Sequence, residues 1–174
     1  RGKARLAGCS PLVHIRMMSP FDHQSDKTLP PLPGQRLARG VARALRGLDF
    51  VTLEEMIPTS GLRVDLMALG PKGEVWVIEC KSGLADFRAD QKWQGYLEFC
   101  DRFFWAVDAD FPTDMLPAET GLILADAYDA EIIRMGPQTP LAGARRKAML
   151  QRFARQAALR LQNHRDPGVA ALIG

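Results

Sequence analysis

Three short β-type runs, Phe50 to Ile57, Leu62 to Leu69 and Glu74 to Lys81, are separated only by Pro58-Thr59-Ser60-Gly61 and by Gly70-Pro71-Lys72-Gly73. Turns this short leave no room for a crossover connection, so the runs form an antiparallel meander. The constraint reaches down to single residues. A hairpin centred on Lys72 sets Asp65 directly opposite Glu79, about 5 Å away. Residues two apart on a strand share a face, so Glu79 and Lys81 point the same way while Cys80 points oppositely.

Helical patterns surround the meander. Leu37, Val41, Ala44, Leu45 and Leu48 recur at helical spacing and predict a helix from about Gln35 to Arg46, ended by Gly47. Leu84 to Cys100 reads as a second helix, Arg102 to Val107 as a strand, and Pro112 and Pro117 as marks of a loop. Gly121 to Ala125 and Glu131 to Arg134 flank a turn and make a final strand pair. A long helix is expected from Ala142 to Asn163, with Leu150, Phe153, Ala154, Ala157 and Leu161 on its inner face. The expected fold class is α/β, a central mixed β-sheet flanked by helices.

Pro20, Pro30, Pro31 and Pro33 lie among polar residues, so residues 1–33 are expected to be an extended or disordered lead-in, with 1–16 non-native or upstream sequence. Residues 34–167 make one domain and 168–174 a tail. With 47% hydrophobic and 25% charged residues the chain matches an ordinary globular protein, and no apolar run reaches the ~20 residues of a membrane helix. Cys9, Cys80 and Cys100 have neither metal-ligand spacing nor a paired framework, and His14 interrupts the only leader-like stretch. The expected location is the cytoplasm, with no membrane partner.

Asp65 and Glu79 are the centre of interest. Like charges facing across strands destabilise a sheet, and a hard divalent cation, Mg2+ or Mn2+, shared by both carboxylates compensates. A lysine beside them can orient or help deprotonate a water, and the cation stabilises charge on phosphorus, which points to phosphodiester hydrolysis. A duller reading stands beside it, with Asp65 solvated and Glu79 and Lys81 a surface ion pair. The apolar run Val75-Trp76-Val77-Ile78 favours the first, because charged residues closing such a run suggest a strand end that opens into a cleft.

The order helix, strand, Arg63-Val64-Asp65, hairpin, Ile78-Glu79-Cys80-Lys81 resembles the PD-(D/E)xK nuclease superfamily. More closely, Glu79-Cys80-Lys81-Ser82, then Ala85-Asp86-Phe87-Arg88-Ala89-Asp90-Gln91-Lys92-Trp93, Tyr96 and Cys100-Asp101, resemble the MmcB-like bacterial DNA repair proteins, over roughly Gln35 to Pro167. The resemblance implies a restriction-endonuclease-like core, a role in DNA repair and a magnesium-type nuclease site, with Asp65, Glu79 and Lys81 catalytic. Two departures stand out. Residues 35–47 contain no Asp or Glu, where many superfamily members carry a further acidic residue, and Val64 replaces the superfamily proline. Glu54 and Glu55 are the candidate substitutes, and Glu55 is preferred as the third metal-binding carboxylate because its spacing to Asp65 is similar to that of the closer relatives.

DNA is the expected partner. A net charge of +3 does not establish it, so the argument rests on clustering. Arg36, Arg39, Arg43 and Arg46 fall on one helical stripe that can track phosphates or simply be solvated. Arg145, Arg146, Lys147, Arg152, Arg155 and Arg160 make the last helix basic with the same two readings. Past the motif, Gln91 or Lys92 can touch phosphate, and Trp93 either stacks on an unpaired base or packs in the core. A symmetric homodimer or another repair protein completes the expected partners. A nuclease-fold module that binds DNA without turnover is the alternative function.

Overall fold

The computed structural model describes residues 32–90 and 92–170, so residues 1–31 of the expected lead-in, Gln91 and residues 171–174 of the expected tail lie outside the described residues. Helix α1 spans Pro33–Gly47. It starts two residues earlier than its apolar spacing predicts. Pro33 lacks the N–H that a first turn cannot use, and the Gln35 side-chain oxygen accepts the Leu32 N–H at 3.0 Å. The meander follows as β1 (Val51–Thr59), β2 (Leu62–Leu69) and β3 (Val75–Lys81). After α2 (Leu84–Ala89) and a 3-10 segment (Trp93–Phe99) come β4 (Arg102–Val107), β5 (Gly121–Ala125) and β6 (Ala130–Arg134). The long α3 (Gly143–Arg165) and the short α4 (Pro167–Ala170) close the chain's described part.

These strands form one six-stranded sheet in the order β1-β2-β3-β4-β5-β6. The meander is antiparallel, β3–β4 and β4–β5 are parallel, and β5–β6 returns antiparallel, so the α/β class with a mixed sheet is what the chain adopts. Every residue of β3 is buried, as expected of a strand covered on both faces. On one face Leu37, Val41 and Leu45 of α1 meet Leu66, Trp76, Ile78 and Phe104. On the other, Tyr96, Phe111, Met149 and Phe153 cover Met67, Val77, Phe103 and Trp105.

Two expected elements differ. The helix predicted over Leu84 to Cys100 breaks at Asp90, whose carboxylate accepts the Lys92 N–H at 3.0 Å. A short side chain that offers the backbone such a bond competes with helix continuation, and the chain resumes only as the 3-10 segment. In α3 the buried residues are Met149 and Phe153, while Ala154 and Leu161 face out. The contact stripe is narrower than the pattern predicted and is set one residue back from Leu150.

Side-chain alternation slips on two neighbouring strands at once. Leu53 and Met56, three apart on β1, lie in the same core layer, as do Val64 and Met67 on β2. Between each pair stands a carboxylate residue, Glu55 and Asp65. Glu55 has φ 48°, in the left-handed region that costs a non-glycine residue of order 1 kcal/mol. Arg160 of α3 braces the kink by donating to the carbonyls of Glu54 and Glu55.

Asp101 anchors the start of β4. Its carboxylate accepts Val75 N–H at 2.8 Å, Leu141 N–H at 2.9 Å and two guanidinium bonds from Arg146 at 2.7 and 2.8 Å. Thus β3, β4 and α3 are joined at one residue. Arg145 pairs with Glu98 at 2.9 Å. Three of the arginines that make α3 basic therefore act within the fold.

Candidate active site

The β2–β3 ladder runs from Leu69↔Val75 to Leu66↔Ile78 and stops there. One step further, Asp65 and Glu79 face each other as the turn spacing predicts, but their main chains no longer pair with each other. Their side chains take over: Asp65 N–H donates to Glu79 Oε1 at 3.1 Å, and Cys80 N–H donates to Asp65 Oδ2 at 2.9 Å. Each carboxylate thus has one oxygen bound to a main-chain donor in the splay between the strands. Both line a cleft of about 670 Å³.

Burial governs the electrostatics. Desolvation, and then the Asp65 charge, push the Glu79 carboxyl up to about 8, far above its ordinary range. Desolvation raises Asp65 as well, against the lowering effect of the Cys80 N–H and of Lys81. Two carboxylates that both resist ionisation in one site are a donor set for a hard cation, so the residues present fit a divalent metal ion.

Lys81 shares the face of Glu79, its Nζ 3.7 Å from Glu79 Oε2 and 2.8 Å from Asp90 Oδ2. Burial works against its charge, but the hydrogen bond it donates to Asp90 and the Glu79 charge outweigh it and hold the ammonium above its ordinary value. Lys81 is therefore a cation here and can orient a group or neutralise charge. Cys80 points to the α1 layer, where burial drives its thiol well up, so it is an inert core residue.

Glu55 also lines the cleft, yet the left-handed turn at its backbone carries its carboxylate outward, 3.9 Å from Arg63 and more than half exposed. Among the described residues no three His, Cys, Asp or Glu side chains are gathered closely enough to hold a metal ion. The structure thus brings Asp65, Glu79 and Lys81 together and leaves Glu55 at the rim. Of the expected DNA contacts, Arg36, Arg39, Arg43 and Lys92 are exposed, and Lys92 lines the cleft with the first turn of α1. Trp93 is half-buried against Phe103 and Trp105, with ring centroids at 5.5 and 5.9 Å, the packing alternative.

Asp86 and Asp90, within the run that carries the family resemblance, also line the cleft. Asp90 accepts from the Lys81 ammonium at 2.8 Å, and the Asp86 charge also favours the lysine's charged form. Tyr96 closes the cleft wall and donates its hydroxyl to the Arg63 carbonyl at 3.2 Å.

Among the described residues no helix is long and apolar enough to cross a membrane. No curated protein matches the chain. A solved structure, the SPO1766 protein of unknown function from Silicibacter pomeroyi, is 68% identical, with a TM-score of 0.78 over 80% of this chain and 95% of that one. The model of the family described as DNA repair protein MmcB-like matches residues 24–168, which include the whole sheet and every residue of the cleft. The chain therefore belongs to the MmcB-like family of DNA repair proteins.

Proposed function

We propose that this chain is a metal-dependent deoxyribonuclease with a restriction-endonuclease-like core, hydrolysing phosphodiester bonds during DNA repair. One observation carries the reading: Asp65 and Glu79 face each other where β2 and β3 splay, both unwilling to ionise without a compensating cation. These two carboxylates would hold Mg2+ or Mn2+, with Glu55 within the same cleft as the candidate for a third. Such an ion, when bound, supplies Lewis-acid stabilisation of charge on the phosphoryl oxygens.

The chain's own groups supply the rest. Asp90 fixes Lys81 so that its ammonium stands beside Glu79, where it stabilises negative charge on a reacting phosphate. Lys92 in the cleft lining and the exposed Arg36, Arg39 and Arg43 stripe on α1 would hold the DNA backbone through salt-dependent contacts. Tyr96 and Leu32 wall the cleft and limit water.

A second reading is a DNA-binding repair module without turnover. It is favoured by the outward turn of Glu55, which leaves two carboxylates where three were expected. Labelled single-stranded, flap and junction DNAs, incubated with magnesium or manganese, separate the two. The nuclease reading expects wild-type cleavage that falls at least about a hundredfold in Glu79→Gln and in Lys81→Met. Binding with no wild-type cleavage on any of the DNAs selects the silent module.

A further inference from the structure

The turn between β5 and β6 carries Tyr128, whose ring is 74% exposed, more than any other large apolar or aromatic side chain described. Its backbone is nonetheless tightly held. Asp126 Oδ1 accepts the N–H groups of Tyr128 and Asp129 at 2.6 and 2.8 Å, and Asp126 N–H donates to the Asp129 carbonyl at 3.0 Å. The turn presses on α1 at Gly40, where an added Cβ would lie 2.2 Å from the Asp126 oxygen. Only glycine allows that approach.

Docking on Gly40 sets the ring beside the arginine stripe. Arg43 donates to the Ala127 carbonyl at 3.3 Å, and its guanidinium lies 5.9 Å from the Tyr128 ring centroid. Arg36, one seven-residue step or ~10 Å back along α1, lies toward the helix turn that lines the carboxylate cleft. The two acids of the turn are engaged by main-chain N–H groups, Asp126 as above and Asp129 through Ala130 at 2.8 Å. A rigidly placed, solvent-facing aromatic ring beside a guanidinium group is what binds unpaired bases in single-strand channels. A duplex keeps its base faces stacked and has nothing to offer the ring.

We propose that Tyr128 and Arg43 form a stacking platform for an unpaired base, on single-stranded DNA that runs from the carboxylate cleft along α1. The proposal rests on the reading of the chain as DNA-binding and not on its cutting DNA. Phosphates meet Arg36 and Arg39 along the helix, and the base stacks on Tyr128 at its far end.

The full chain is titrated, with EDTA present, against fluorescent oligothymidylate, a hairpin duplex and oligouridylate, and binding is read by anisotropy. Wild type is expected to favour oligothymidylate. Tyr128→Ala should weaken that complex about tenfold with its salt slope unchanged, because stacking carries no charge. Tyr128→Phe should stay within about twofold, and Arg43→Gln should reduce the salt slope by about 0.7. Unchanged affinity in Tyr128→Ala, equal losses in the Ala and Phe variants, or tighter binding of oligouridylate would each overturn the proposal. Cleavage with manganese is scored separately. Tyr128-dependent binding without cleavage sinks the nuclease reading alone, and cleavage with Tyr128-independent binding sinks the platform alone.

Discussion

Glu79 and Asp101 are equally buried carboxylates, 3% and 5% exposed, each beside a cation at the edge of a central strand. Their environments drive them in opposite directions. Asp101 receives four hydrogen bonds, two from main-chain N–H groups and two from Arg146, and although burial raises its carboxyl these bonds hold it below its ordinary value. Glu79 receives one main-chain N–H, faces a second carboxylate, and shares its lysine with Asp90. Burial therefore wins there and lifts it to about 8. A saturated carboxylate holds a fold together, whereas an unsaturated one keeps acceptor capacity for chemistry.

The largest expected effect breaks the saturated member. Asp101→Asn leaves Arg146 without its partner charge and should destabilise the domain by about 3 kcal/mol in urea unfolding. A change within experimental error would mean that Asp101 is not the anchor described. Glu79→Gln should do the reverse. Near pH 8 it removes a charge that the site disfavours and keeps an acceptor for the Asp65 N–H, so stability should rise by about 2 kcal/mol.

The pH dependence follows with its sign. Between the ordinary glutamate value of 4.5 and about 8, folded Glu79 keeps a proton that the unfolded chain has released. Wild-type stability without divalent cations should therefore fall as pH rises through that window, and Glu79→Gln should flatten the fall. Asp101 works the other way. Its folded value is depressed, so its contribution is full above 3.8 and is lost as pH falls through the folded value. Urea midpoints from pH 3 to 9 for wild type and both variants resolve the two limbs. The smallest effect concerns the carboxylate pair itself: millimolar magnesium or manganese should raise the melting temperature of wild type by roughly 2–4 °C and that of Glu79→Gln by much less. Equal shifts would place cation binding away from Glu79.

Much of this was legible in the residues because short turns leave few alternatives. The two four-residue connections set the meander and its register, and the register put Asp65 opposite Glu79. The parallel half of the sheet was readable as elements, but nothing local states which strand β4 joins. Asp90 misled the helix reading, since a single side-chain bond to the Lys92 N–H decides whether that helix continues. The position of Glu55 was invisible for a related reason. Its left-handed backbone is imposed by tertiary contacts, Arg160 among them, and alternation read along the strand assumes no such slip. Nothing local marks Gly40 either, because what requires it is the close approach of the Asp126 and Asp129 carbonyls from a turn distant in sequence.

The kink at Glu55 has another consequence, for the outer border of the sheet. β1 is an edge strand, and a long straight edge is a template on which further chains can add. Here the left-handed residue bends the strand midway, and Pro58 removes a donor three residues later. The row of free main-chain groups is broken into pieces too short to recruit a neighbour. The same local distortion that shapes the cleft wall thus makes this edge of the sheet a poor template for strand addition.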